Sequence, residues 1–197
     1  MSITIHKDQV LKQIGYKSLP EEKVLTLLDE MLELGNKQIS PLMKFKKIGC
    51  SGEFHPFFHG AALGYFALVS IGPELENQVK AFFDLGKAME GYILDVVGTV
   101  AVKQAGNALW AEIIEDASLR GFKKGFRRAP GCKGVPMPLQ KRIIDMLQEP
   151  DPGVRVTSSY MLVPRKSFAF LGRFGGKLEG SFSCEGCPQF STCDLRR

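Results

Sequence analysis

The order of helix-like and strand-like segments predicts an α+β fold. Helical patterns dominate residues 18–148 and enclose one apolar segment that suits a buried strand, whereas strand-like segments follow one another after residue 153. This order differs from the alternation of strand and helix that a parallel βαβ fold requires. The composition, 44% apolar and 24% charged over 197 residues, is typical of a globular chain. We expect one domain over residues 1–182 and a short cysteine-rich tail over residues 183–197.

The first predicted helix begins near Ser18, which stands three residues before Glu21 in the spacing of a capping box. Apolar residues then recur at helical spacing: Val24, Leu27, Leu28, Met31 and Leu34. Residues 65–71 are continuously apolar and lie between Gly64 and Gly72, which favours a buried strand.

Two further helices are predicted over residues 73–91 and 92–121. The second carries an apolar stripe at helical spacing: Leu94, Val97, Ala101, Ala105 and Ala108. Gly98 and Gly106 would let another backbone come close to this helix. The stripe indicates a tightly packed core helix and carries no chemistry of its own.

Residues 121–138 are predicted to form a functional loop. They contain four glycines and three prolines, without helical or strand periodicity, before Pro138 begins the next helix. A guanidinium from Arg127 or Arg128 could bind a carboxylate through two hydrogen bonds, and Gly131 would let the backbone approach a ligand. This suits a small molecule with a carboxylate and an amine. The alternatives are a solvated basic turn and a nucleic-acid patch, and the second is disfavoured because no binding module or interleaved aromatic residue accompanies the basic residues.

Three strand-like segments complete the predicted domain: residues 154–163, 166–174 and 177–182. In the first, Val154, Val156, Ser158, Tyr160 and Leu162 stand at alternate positions. Short turns between the segments predict an antiparallel meander.

The net charge of +5 is mild, but basic residues stand close together around the predicted loop: Arg120, Lys123, Lys124, Arg127, Arg128 and Lys133. A locally positive surface predicts an anionic partner. No apolar run approaches the roughly 18 residues that a membrane helix needs, and the polar N-terminus is unlike a signal peptide. We expect a cytoplasmic protein without a membrane partner.

The tail holds three of the five cysteines, Cys184, Cys187 and Cys193, in the spacing C-x2-C-x5-C. An odd number of cysteines argues against a set of disulfides, and clustered thiolates bind zinc or iron–sulfur clusters. The favoured fourth ligand is Cys132; the other candidates are Cys50, His55 and His59. An iron–sulfur cluster, structural zinc and no metal all stay open. A catalytic metal at the two histidines alone is not expected, because Pro56 disfavours a helix there and a third ligand is lacking.

Three blocks of the sequence, residues 94–113, 127–147 and 156–172, resemble the reactivation domain of cobalamin-dependent methionine synthase. The most specific part is Arg-x-x-Pro-Gly, followed by a further proline before a helix, as in "RRAPGCKGVPMP". The resemblance spans roughly residues 60–175, and the N-terminal helices are similar to those of shorter, stand-alone relatives. It implies an α+β fold with a twisted antiparallel sheet flanked by helices.

The resemblance also implies a function. Such a domain binds S-adenosylmethionine and docks on a partner that carries cobalamin, so that reduction and methyl transfer restore an inactive Co(II) corrinoid to methylcobalamin. Arg127 would bind the methionine carboxylate, and the backbone of Ala129 and Gly131 would line the ligand. Cys132 stands where the family usually has tyrosine, and Lys103 where it often has an acidic residue that faces the ligand amine.

A lysine at position 103 would repel a sulfonium or an ammonium group. A second hypothesis is therefore a module of the same fold that no longer binds S-adenosylmethionine. Methionine synthase receives its electron from a flavodoxin, and a metal cluster in the cysteine tail could take that role here.

Overall fold

The computed structural model describes residues 3–132, 134–148 and 153–175. The helices of this part of the chain are α1 (Lys7–Ile14), α2 (Glu22–Gln38), α3 (His55–Phe58), α4 (Glu74–Asp84), α5 (Ala88–Leu119) and α6 (Leu139–Met146). Its strands are β1 (Leu42–Ile48), β2 (Leu63–Ser70), β3 (Gly125–Arg128), β4 (Arg155–Val156), β5 (Leu162–Val163) and β6 (Ser167–Phe174).

The main sheet has four strands in the order β1-β2-β6-β3, and every neighbouring pair is antiparallel. Strands β2 and β6 occupy the centre because their residues are apolar on both faces, and all eight residues of β2 are buried. The α+β class and the antiparallel sheet are confirmed. The meander is wrong, because β6 pairs with β2 and β3 rather than with the preceding segment.

One face of the sheet, which we call the first face, is covered by α5, and α1, α2 and α4 pack against α5 to complete the core on this side. Helix α5 crosses this face and is buried on most sides; the predicted stripe residues Leu94, Val97, Ala101 and Ala105 are fully buried. The group that packs closely against Gly106 is a side chain rather than the predicted backbone: a Cβ atom there would lie 2.0 Å from Cζ of Phe168.

The opposite face, the second face, packs against α3, α6 and the hairpin of β4 and β5. Its core includes Phe66 and Leu68 of β2 and Leu171 of β6. Side chains alternate between the two faces along each strand, so neighbouring residues of one strand enter different cores.

Several boundaries differ from the prediction. Helix α2 begins at Glu22 after the N-cap Glu21, without a side-chain cap hydrogen bond, so the capping box at Ser18 is wrong. Residues 154–163 form two short strands instead of one, because Tyr160 adopts a φ of 61° and the chain turns back. Strand β1 was not predicted. Residues 177–182, predicted as a strand, lie outside the described residues.

None of the helices in the described ranges is long and apolar enough to cross a membrane.

Candidate functional site

Strand β3 lies at an edge of the sheet and leads into the loop that the sequence singles out. Arg127 pairs with Gly172 of β6 and Arg128 with Leu171, so the two arginines point to opposite faces. Arg127 lies on the first face, beside α5, and Arg128 on the second. The basic cluster predicted as one surface is therefore divided by the sheet.

The guanidinium of Arg127 is held against α5. Its Nη1 donates to the carbonyl oxygen of Gly106 at 2.9 Å, and its Nη2 donates to Oδ1 of Asn107 at 2.7 Å. Its Cζ atom lies 5.8 Å from the ring centre of Phe170, in the range of a cation–π contact. These contacts fix the plane of the guanidinium, and a ligand carboxylate would meet a group that is already oriented.

The loop after β3 is closed by its own backbone. The Gly131 amide donates to the carbonyl of Val135 at 2.8 Å, and the Cys132 amide donates to the carbonyl of Ala129 at 3.1 Å. Gly131 has a φ of 90°, and a Cβ atom there would lie 2.8 Å from Sδ of Met137. Only glycine fits this position without strain. A ligand that accepts hydrogen bonds from these backbone amides would share them with the carbonyl oxygens of the loop.

Gln104, a residue of α5 that the sequence did not single out, lies one turn before Asn107. Nε2 of Gln104 donates to Oε1 of Gln9 in α1 at 2.6 Å, whereas its own Oε1 is buried and has no hydrogen-bond partner among the described residues. Gln104 and Asn107 line a cavity of about 260 Å³ between α5, α1 and the N-terminal segment. This cavity adjoins Arg127 through its partner Asn107.

Lys103 is exposed, and its Nζ donates to Oε1 of Gln13 at 2.6 Å, so its ammonium group is directed at α1. Lys103 lies on α5 one turn before Gly106 and Asn107, the residues that hold Arg127. Position 103 is predicted to lie near the ligand amine, and in the structure its ammonium group contacts Gln13. No sequence signal distinguishes Gln104 from any other helical glutamine.

On the second face, Arg128 lies near Arg173 of β6. Burial and the charge of Arg128 lower the pKa of the Arg173 guanidinium. Burial raises the pKa of the nearby Cys50 thiol, and Arg173 opposes that shift.

The proposed metal ligands of the tail, Cys184, Cys187 and Cys193, lie outside the described residues. Within the described ranges, no group of three or more histidine, cysteine or acidic residues is placed to hold a metal ion. The fourth predicted ligand, Cys132, is an exposed free thiol on the loop.

A partly buried hydrogen-bond network connects β2 with α5. The hydroxyl of the fully buried Tyr65 donates to Oδ2 of Asp116 at 2.5 Å, and Arg120 forms an ion pair with the same carboxylate at 3.0 Å. Burial, and then the hydrogen bond and charge of Asp116, raise the pKa of Tyr65 to about 12. This network joins the first face of the sheet to the end of α5.

A solved structure of the MetH reactivation domain bound to AdoHcy is similar to this chain, with a TM-score of 0.61. The match covers 81% of this chain and 67% of that chain, at 13% sequence identity. No family model matches the sequence, and no curated protein matches it. The fold that the sequence resemblance implied is confirmed.

Proposed function

We propose that this chain is a reactivation-type domain that binds S-adenosylmethionine beside the arginine loop and acts on a separate cobalamin-dependent methyltransferase. The observation that carries the proposal is the Arg127 guanidinium, fixed against α5 by Gly106 and Asn107 in a fold shared with a domain solved with AdoHcy bound. AdoHcy is the product left when S-adenosylmethionine gives up its methyl group.

The ligand's amino-acid end would be held between β3 and α5. Arg127 supplies a guanidinium for the carboxylate, through charge-assisted hydrogen bonds. Oε1 of Gln104, a buried atom beside the cavity that Gln104 lines and without a hydrogen-bond partner among the described residues, would supply an acceptor for the ammonium in place of a carboxylate. Lys103 is held by Gln13, which directs its charge toward α1. A neutral acceptor implies weaker binding of the amine than a carboxylate would give.

In the proposed reaction, a one-electron donor reduces Co(II) of the partner's corrinoid to Co(I), which takes the methyl group from the sulfonium and releases S-adenosylhomocysteine. This chain contributes no nucleophile. It binds and orients the methyl donor and positions it over the corrinoid of the partner.

Calorimetric titration with S-adenosylmethionine and S-adenosylhomocysteine tests the ligand site. Arg127→Gln removes the guanidinium and is expected to weaken binding by at least about tenfold, because a hydrogen bond to a charged group contributes about 1.5–3 kcal/mol. Arg128→Gln is the matched control, because it removes the same charge from the opposite face of the same strand. Absence of binding to the natural chain, or equal binding by both variants, would contradict the proposal.

The action of this chain on its proposed partner, a corrinoid methyltransferase, is tested separately. The chain, added with S-adenosylmethionine and a reductant, is expected to speed the return of a Co(II) corrinoid methyltransferase to its methylated form, followed by visible absorption. Arg127→Gln should lower the rate when the methyl donor is limiting. A rate that is the same with and without the chain contradicts the partner proposal.

A metal-containing module of the same fold is the second candidate, and the exposed Cys132 favours it. Cys184, Cys187, Cys193 and Cys132 would hold an iron–sulfur cluster or zinc. A reduced cluster would supply the single electron that reactivation needs. Anaerobic purification followed by metal analysis, absorption and EPR tests this candidate.

The Cys132→Ser variant is expected to lose metal, whereas Cys50→Ser, which changes a partly buried thiol, should retain it. Stoichiometric zinc in a colourless protein would exclude the electron-donor role, and metal-free protein would exclude the site.

A further inference from the structure

Two arginines occupy diagonal positions on the second face of the sheet. Phe126 pairs with Arg173 and Arg128 pairs with Leu171, which places Arg128 and Arg173 on adjacent strands and on one face. Diagonal neighbours in an antiparallel pair lie about 7–8 Å apart, within reach of long side chains. Their guanidinium groups can therefore contact the same small ligand.

Arg173 is incompletely satisfied by the described protein. Its Nη2 donates to the carbonyl oxygen of His59, but its Nε is buried and has no hydrogen-bond partner among the described residues. An arginine withdrawn from water normally pairs with an acidic group, and a buried donor without an acceptor is costly. This donor therefore calls for an acceptor that the described residues do not supply.

The charges around Arg173 increase that cost. Arg128 lowers the pKa of the Arg173 guanidinium, which reports repulsion between the two cations. No described carboxylate is among the groups that shift this pKa, and Cys50 is the group that opposes the repulsion. Burial raises the pKa of the Cys50 thiol, which disfavours the thiolate form that would offset this repulsion.

We propose that Arg128 and Arg173 form an oxyanion-binding site on the second face, for the phosphate or carboxylate group of a ligand. An oxyanion would accept charge-assisted hydrogen bonds from both guanidinium groups and cancel their repulsion. The bound anion would also accept from the Nε–H of Arg173, the donor that the described residues leave unsatisfied.

The loop after β3 passes close to this site. Gly134, with a φ of 79°, lies next to Arg128: a Cβ atom on it would be 3.7 Å from Nη1. The backbone of the loop therefore passes the guanidinium without a side chain between them. The site lies across the sheet from Arg127, so it is independent of the proposed S-adenosylmethionine site.

Inorganic phosphate is the probe that tests this proposal, added to the full chain in a chloride buffer of constant ionic strength. The 15N-labelled protein should show one arginine Nε–Hε resonance, assigned to Arg173, that moves downfield and saturates in the millimolar range. Acetate, added in the same way, separates a site for tetrahedral oxyanions from one that also accepts carboxylates. Either ligand that saturates the shift supports the site.

Variants identify the residues that bind. Arg173→Gln and Arg128→Gln are each expected to weaken phosphate binding at least tenfold, and Arg173→Gln retains an amide that can donate to His59. Arg165→Gln removes an exposed arginine near the start of β6 and should leave binding unchanged. No saturable shift up to about 50 mM of either phosphate or acetate, or unchanged binding in both site variants, overturns the proposal.

The two proposed binding sites can be tested, and refuted, independently of each other. Arg127→Gln should retain phosphate binding while it loses S-adenosylmethionine, and Arg173→Gln should show the reverse.

Discussion

The hydroxyl of Tyr65 is expected to make the stability of this protein fall in alkaline solution. Its pKa is raised from 10.0 to about 12, first by burial and then by the hydrogen bond to Asp116. A raised pKa in the folded state stabilises the protein below the unfolded pKa, and this contribution is lost as the pH rises through the folded pKa. Two pKa units correspond to about 2.7 kcal/mol, lost between about pH 10 and 12.

Replacement of Tyr65 by phenylalanine removes this contribution. Below pH 10 the variant should be less stable by about 1.5–3 kcal/mol, because it lacks a hydrogen bond to a charged acceptor. The stability curves of the two proteins should converge toward pH 12. Urea unfolding at a series of pH values measures the curves, and absorbance at the tyrosinate band reports the ionisation directly.

The control is Tyr92→Phe, which removes a hydroxyl from a side chain that is 45% exposed. Its stability curve should run parallel to that of the natural chain. A constant difference between the natural chain and Tyr65→Phe up to the highest pH at which both are folded would refute the reasoning.

Three further predictions concern acid stability and two glycines. The Asp116 pKa is lowered, chiefly by Arg120, so its contribution is present above about pH 4 and lost as the pH falls; Asp116→Asn should flatten urea-measured stability between pH 2 and 5. Gly106→Ala should lower the free energy of unfolding by about 1–3 kcal/mol, because the added Cβ atom would clash with Phe168, even though alanine has the better helix propensity. Gly49→Ala is the control: a Cβ atom at position 49 has no neighbouring atom within 4 Å, so the free energy of unfolding should change by less than about 0.5 kcal/mol. Gly131→Ala places a side chain at a φ of 90° and should cost about 1–2 kcal/mol in the same assay; undiminished stability would contradict the strained geometry.

The sequence predicted those helices and strands whose apolar residues follow directly from their burial in the core. Helix α5 and strand β2 are apolar over long stretches, so period and length identify them. Strand β1 escaped detection because it is an edge strand with the sequence LMKFKKI, whose second half is largely exposed. Its lysines are typical of edges that avoid pairing with other chains. Strand β3 has only four residues and depends on pairing with β6, a contact distant in sequence.

The candidate site could be predicted only in part, for a related reason. Residue type and the nearby glycine identified Arg127 and Arg128 as residues able to bind a carboxylate, and the family resemblance singled out Arg127. Its partners Gly106 and Asn107 are twenty or so residues earlier in the chain, and only the packing of α5 on the sheet brings them to the guanidinium. The same packing buries Oε1 of Gln104, a feature without any local pattern.

Arg127 and Arg128 have different surroundings because the four residues of β3 form an extended strand. In an irregular loop, two adjacent guanidinium groups could bind one anion together. In strand β3 the two-residue period sends them to opposite faces, where Arg127 meets the backbone of α5 and Arg128 lies diagonal to Arg173. A change in the pairing register of β3 by one residue would exchange these environments. The pairing of β3 with β6 therefore decides which arginine can serve each site, so variants that weaken this pairing should affect both ligands, whereas replacement of a single arginine should affect only one.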